Sequence, residues 1–188
     1  KEEIIQSMAS LTNRLSKTFK KINPDLLILL GDRYELLYVS STALIFSIPI
    51  AHIHGGEITT GAFDDSIRHS ITKLSCIHFV ATNEYKNRVI QLGENPSNVV
   101  NVGGLGVDAI KHTKILNKSD LETFLGHEIA SKNFLVTLHP ETLSNIPIES
   151  QINALLFALK KYIRISSNNL SIIFTGSNSD PDASKIRK

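Results

Sequence analysis

Residues 25–35 read Asp-Leu-Leu-Ile-Leu-Leu-Gly-Asp-Arg-Tyr-Glu, and this stretch decides the fold. An unbroken apolar run closed by a glycine is the pattern of a strand covered on both faces, and strands of that kind are parallel. Parallel strands need a crossover, so a helix must follow, and residues 34–46 supply one. Upstream, Ile4, Ile5, Met8, Leu11, Leu15 and Phe19 recur at helical spacing with Lys and Arg between them, which predicts an amphipathic helix ending before Pro24. Downstream, a strand at 50–54, a helix at 66–74, a strand at 76–81, a helix at 84–92 and a strand at 99–102 continue the βαβ alternation. Thr82 or Asn83 caps the helix at 84–92, and Gly93 ends it.

The spacing of Ser119 and Glu122 spells a capping box at the start of a short helix. Apolar periodicity is weak around it, so a connection between two domains is expected near 106–130. The α/β pattern then resumes with a strand at 134–138, a helix at 148–165, a strand at 171–175 and a helix after Pro181. This predicts one domain over 1–115 and the start of a second over 116–188. The opening helix needs a sheet to pack on and the last helix is unterminated, so the chain reads as truncated at both ends.

With 188 residues, 41% of them hydrophobic and 20% charged, the chain is an ordinary globular protein of one large or two small domains. Twenty basic side chains face 18 acidic ones, a net charge of +2 spread along the chain, which gives no field for nucleic acid or an anionic membrane. No apolar run approaches the roughly 20 residues of a membrane span, and residues 1–21 are amphipathic rather than signal-like. A single cysteine, Cys76, excludes an internal disulfide and a cysteine zinc cluster and favours the cytoplasm.

Ligands of parallel α/β sheets sit beyond the carboxyl ends of the strands, so the residues after each strand are the candidates. After the first comes Gly31-Asp32-Arg33-Tyr34-Glu35, where Asp32 is either a helix cap or a site carboxylate. The second strand runs into His52-Ile53-His54-Gly55-Gly56-Glu57. Period-2 geometry puts both imidazoles on one face, and the glycines let a ligand approach the backbone. His52 is either a satisfied core histidine or a ligand; His54 is the stronger functional candidate. Two carboxylates, Asp64 and Asp65, begin the next helix with Arg68 and His69 one turn on, more charge than the helix dipole requires. His139, after the strand at 134–138, suits a phosphate. Gly104-Leu105-Gly106-Val107-Asp108-Ala109 has the form of a dinucleotide fingerprint, but no strand ending in an acid follows about 20 residues later, so it is set aside. His52, His54 and Glu57, with Asp64, also make a legitimate ligand set for zinc or manganese, which keeps a metal-dependent hydrolase as the second reading.

The strings GDRYE, HIHGGEITTGAFDDSIRHSITKLSCIHFVAT, QLGE and NVGGLGVDAI resemble the UDP-N-acetylglucosamine 2-epimerases, most closely their hydrolysing branch of sialic and legionaminic acid synthesis. The likeness is dense from Pro24 to Ile110 and continues more thinly through TLHPET and FTGSNSD. It implies two Rossmann-like domains of glycosyltransferase-B type with the nucleotide between them, in a protein about twice this length. It implies a homodimer, no redox cofactor and no metal.

The reaction so implied removes the C2 proton of UDP-N-acetylglucosamine, expels UDP from C1 to leave a 2-acetamidoglucal, and adds water to release N-acetylmannosamine. Such chemistry needs a base, an acid for the departing phosphate oxygen and charges that hold UDP. By motif, Asp32 and Asp64 match the acid/base carboxylates, and Arg33, His139 and Asn178 match positions that hold the nucleotide; Arg68 is added as a substrate-binding candidate beside Asp64. Glu57 keeps the second acid of the GGE segment. Where some members place a glutamate two residues after the first histidine, this chain has His54, which leaves His54 and Glu57 both open as the group that exchanges the proton. A UDP-2,4-diacetamido-2,4,6-trideoxyhexose is the other substrate the resemblance allows. The 188 residues are expected to be inactive by themselves, because part of the uridine pocket belongs downstream of Lys188.

Overall fold

The computed structural model describes residues 2–140, 144–165, 170–176 and 183–186. The chain divides into two compact units, Lys1–His112 and Thr113–Lys188. In the first, α1 (Glu2–Ile22), β1 (Leu27–Leu30), α2 (Tyr34–Ile45), β2 (Ile50–Ile53), α3 (Asp64–Leu74), β3 (Ile77–Val80), α4 (Asn83–Gln91), β4 (Val99–Asn101) and α5 (Leu105–His112) follow one another, with one turn of 3-10 helix at Pro96–Asn98. The four strands form a parallel sheet in the order β1-β2-β3-β4, with Leu30 beside Ile53 and His52 beside His78. Each crossover is a helix, as the apolar runs between polar amphipathic stretches demand.

The core of this unit lies where α1, α2 and α3 cover the sheet: Phe19, Leu29, Ala43, Ile48, Ile50, Ile67 and Ile71 are buried together. Fully burying an aliphatic side chain such as Ile71 contributes about 1.5–3 kcal/mol. A smaller cluster of Val80, Val89 and Val99 seats α4. The expectation that the first strand is covered on both faces fails, because Leu29 is 5% exposed while Ile28 and Leu30 are 62% and 54% exposed. β1 is an edge strand with one covered face; the apolar run gave its direction but not its covering. β2, between two neighbours, is buried along Ile50, Ala51 and His52.

The second unit holds α6 (Lys118–Leu125), β5 (Lys132–Val136), α7 (Ile148–Ile165), β6 (Leu170–Phe174) and the short α8 (Ala183–Ile186), with β5 and β6 parallel. Two expectations are corrected at the junction. The stretch expected to be a connection contains α5, whose Leu105, Val107 and Ile110 are all exposed. The cap of α6 is Asn117, whose side chain accepts from the Asp120 amide at 2.9 Å, two residues ahead of Ser119. Glu122 accepts instead from the Ile129 amide at 2.8 Å, so no capping box forms. Among the described residues no helix is long and apolar enough to cross a membrane.

Candidate active site

The site begins where β1 and β2 end side by side. Gly31, at φ +84°, donates its amide to the Ile53 carbonyl at 3.0 Å and turns the chain toward α2. Only glycine takes that left-handed backbone without strain. Asp32 follows, and it does not cap α2: that position belongs to Arg33, which caps with no side-chain hydrogen bond. The Asp32 carboxylate instead accepts from Nη2 of Arg68 on α3. Arg68 has only 6% of its side chain exposed, and its Nη2 also donates to Thr59 Oγ1 at 2.8 Å. Nε and Nη1 of Arg68 are buried without hydrogen bonds, Nη1 lying 3.8 Å from Asp65 Oδ1. A buried guanidinium is tolerated only with a carboxylate partner, so Arg68 and Asp32 hold each other in place. Arg68, expected among the groups that bind substrate, is thus turned onto Asp32.

The loop between β2 and α3 is tied down by the acids that open the helix. Asp65 accepts from the Thr59 amide at 3.0 Å and lies 3.7 Å from His69 Nε2. Asp64 is the first residue of α3 and partly exposed, one turn before Arg68, on the helix face that meets Asp32.

The two histidines of the second strand part company. His52 is fully buried: Nε2 donates to the Gly31 carbonyl at 2.8 Å, and Nδ1 accepts from the Thr72 hydroxyl at 3.2 Å. A carbonyl only accepts, which fixes the proton on Nε2. The single Thr72 hydroxyl proton is shared with the Arg68 carbonyl at 3.1 Å. Burial, outweighing the Gly31 hydrogen bond, pushes the imidazole down to about 4. His52 is therefore a neutral core histidine that props the Gly31 turn from below. The metal reading needs a free nitrogen on His52, and both are engaged inside the core. Among the described residues no three His, Cys, Asp or Glu side chains are grouped to hold an ion.

His54 lies beyond the end of β2, not on it, with φ +67°, a region costing a non-glycine residue roughly 1–2 kcal/mol. The strand periodicity expected to put both imidazoles on one face stops one residue short. Its amide donates to the Phe79 carbonyl at 2.9 Å, and its Nδ1 meets Glu57 Oε1 at 2.5 Å. Such a short imidazole–carboxylate bond fixes the ring and holds its proton on Nδ1. With Nδ1 so occupied, Nε2 of the neutral ring carries the lone pair.

Arg33 is half-exposed, bonded to Glu35 through Nε at 3.2 Å and Nη2 at 3.0 Å, with its guanidinium 5.6 Å from the Tyr34 ring. Partial burial would raise the Glu35 carboxyl, but the Arg33 hydrogen bond and charge together with its own backbone amide lower it overall. His139 is exposed, three residues past β5 in the second unit. Asn178 lies outside the described residues. The structure therefore places two pairs, Asp32 with Arg68 and His54 with Glu57, past the carboxyl ends of two adjacent strands, with Asp64 one turn from Arg68.

Sequence reasoning missed Thr59, Thr72 and Arg88, which hold this loop. It also missed a polar core under α3, where His78 Nε2 meets Glu94 Oε2 at 3.1 Å and Lys73 Nζ meets Glu94 Oε1 at 2.5 Å. Thr72 stands four residues after Arg68, the one spacing that carried a signal; the other partners are set by folding alone.

The family model described as UDP-N-acetylglucosamine 2-epimerase matches residues 1–188. A GDP/UDP-N,N′-diacetylbacillosamine 2-epimerase (hydrolysing) of Campylobacter jejuni is 41% identical over 188 residues, covering 100% of this chain and 48% of that protein. The polysialic acid biosynthesis protein P7 of Escherichia coli is 41% identical over 185 residues, 98% of this chain and 46% of its own. In structure, the UDP-GlcNAc 2-epimerase of Methanocaldococcus jannaschii in complex with UDP-GlcNAc and UDP aligns with a TM-score of 0.75 at 20% identity, over 95% of this chain and 48% of that one. That likeness shows the fold: α/β, with parallel sheets, of glycosyltransferase-B type. The chain spans about half the length of the curated relatives it matches. A family model matched from end to end and two relatives above two fifths identity leave one assignment, and the chain belongs to the UDP-N-acetylglucosamine 2-epimerase family.

Proposed function

We propose that the full-length protein is a hydrolysing UDP-sugar 2-epimerase, with UDP-N-acetylglucosamine and water as reactants and N-acetylmannosamine and UDP as products. The observation that carries this reading is the His54–Glu57 pair at the end of β2 beside Asp32 at the end of β1, an oriented base next to a buried-cation-held carboxylate. Family membership and the hydrolysing relative at 41% identity support it.

In this mechanism His54 Nε2 takes the proton from C2 of the sugar. The C–H electron pair becomes the C1=C2 double bond as the C1–O bond to the diphosphate breaks, giving 2-acetamidoglucal and UDP. Glu57 stabilises the imidazolium through Nδ1–H. Asp32 and Asp64 serve the departing oxygen and the incoming water, whose hydroxyl adds to C1 while a proton returns to C2 from the opposite face. Arg68 holds the Asp32 carboxylate in place, and Arg33, His139 and Asn178 hold the diphosphate and nucleotide.

Purified full-length protein should release UDP from UDP-N-acetylglucosamine in a coupled assay. Asp64→Asn should lower kcat by 100-fold or more, on the order expected for loss of an acid/base group, with circular dichroism unchanged, and Asp32→Asn should lower kcat as much and also lower the thermal midpoint, since it takes the carboxylate from Arg68. Wild-type turnover in either variant removes that residue from the mechanism, and loss of wild-type activity to a chelator would restore the metal reading. The Campylobacter jejuni relative favours a second substrate, a UDP-2,4-diacetamido-2,4,6-trideoxyhexose. Comparing kcat/KM for the two sugars, with product analysis by mass, decides between them.

A further inference from the structure

We propose that Arg88, on α4 and away from the carboxylates, is a positioning residue for the His54–Glu57 pair; this deepens the reading above and rests on it. The turn that carries the pair contains two consecutive glycines, Gly55 and Gly56, which have no stiffness of their own. Its shape must therefore be imposed from outside. Gly56 sits at φ +81°, and a β-carbon on it would lie 2.5 Å from the Tyr85 carbonyl oxygen and 2.9 Å from Val89 Cγ2. The turn thus rests directly on the backbone of α4.

From that helix Arg88 reaches over and donates Nη1 to the Gly56 carbonyl. Its other arm is held from behind: Nη2 donates to Glu84 Oε1 at 2.9 Å, and the guanidinium lies 5.7 Å from the centre of the Tyr85 ring. A rigid planar fork fixed at one prong presents the other in one direction, which a lysine cannot do. Gly56 lies between His54 and Glu57 in the chain, so the clamp acts at the middle of the short loop that their 2.5 Å bond closes. With its start on the Phe79 carbonyl and its middle on Arg88, the loop keeps His54 in a left-handed conformation that it would otherwise leave.

The test is made in the full-length protein with Arg88→Ala and Arg88→Lys. Arg88→Ala should lower kcat roughly 10- to 100-fold with KM for the UDP-sugar within about twofold, because misplacing a base by a fraction of an ångström slows chemistry without loosening the nucleotide. Arg88→Lys should recover little of the loss. Independently of turnover, the short Nδ1–H···Oε1 bond should give a strongly downfield proton resonance, assigned by its absence in Glu57→Gln and lost or broadened in Arg88→Ala. A wild-type kcat in Arg88→Ala, a KM rise at constant kcat, or an unchanged downfield proton would each overturn the clamp while leaving the epimerase reading untouched. A wild-type protein that releases no UDP but loses the downfield proton in Arg88→Ala supports the clamp and overturns only the reaction. Should Arg88→Ala fail to fold, Arg88→Lys carries the same readouts.

Discussion

His52 and His54 stand two residues apart and do opposite work. One is sealed in the core with both nitrogens engaged; the other stands past the strand end with a carboxylate on one nitrogen. Burial lowers His52 to about 4 and lowers His78 as well, in spite of Glu94 beside it. In the unfolded chain both titrate near 6.5, so below about 6.5 the unfolded state binds the extra proton, for His52 down to about 4. The stability these rings contribute is complete above pH 6.5 and is lost as the pH falls toward 4, with His52 accounting for on the order of 3 kcal/mol. The urea midpoint should drop over that window, and less steeply in His52→Asn; identical slopes for the two proteins would count against a neutral buried ring. Thr72→Val strips His52 Nδ1 of its donor and should cost about 1–3 kcal/mol in the same titration, the usual penalty for a buried group left unmade. In the sequence Asp32 reads as a cap or a site carboxylate, because the choice depends on Arg68, 36 positions away.

At the scale of the element, periodicity set most of what is seen. The helices at 34–46, 66–74, 84–92 and 148–165 stand close to where the sequence put them. α5, which has no buried residue, lies within the stretch expected to be a connection. At helix starts, Thr82, one of the two candidates, caps α4, accepting from the Tyr85 amide at 3.2 Å, whereas Asn117 rather than Ser119 caps α6. Asn117→Ala should cost about 1 kcal/mol and Ser119→Ala less than about 0.5 kcal/mol, read as shifts in thermal unfolding of the second unit. The reverse order would reinstate the capping box. Gly56→Ala combines an unfavourable left-handed φ with a 2.5 Å approach to backbone, and should destabilise by more than about 1 kcal/mol. An innocuous Gly56→Ala would mean that the turn does not lie on α4 as described.

For the molecule as a whole, the chain covers about half of its curated relatives' length, and UDP release is expected from the full-length protein rather than from these 188 residues alone. Assayed side by side, the 188-residue chain should turn over at least roughly 100-fold more slowly, since positioned binding of both reacting groups supplies that much and more. Comparable rates would place every needed group within residues 1–188. The sequence alone determined the parallel α/β class, the order of the strands and of most helices, and the candidate positions at the strand ends, because period and punctuation are local properties written in neighbouring residues. Its motifs also carried the family. Only the tertiary structure decided that Asp32 belongs to Arg68 rather than to a helix end, that His52 is spent in the core while His54 meets Glu57 past the strand end, and that Gly56 between those two rests on α4. Those outcomes depend on which distant side chain reaches a buried polar atom first, and burial punishes every unpaired one, so the pairing is settled by packing and not by spacing along the chain.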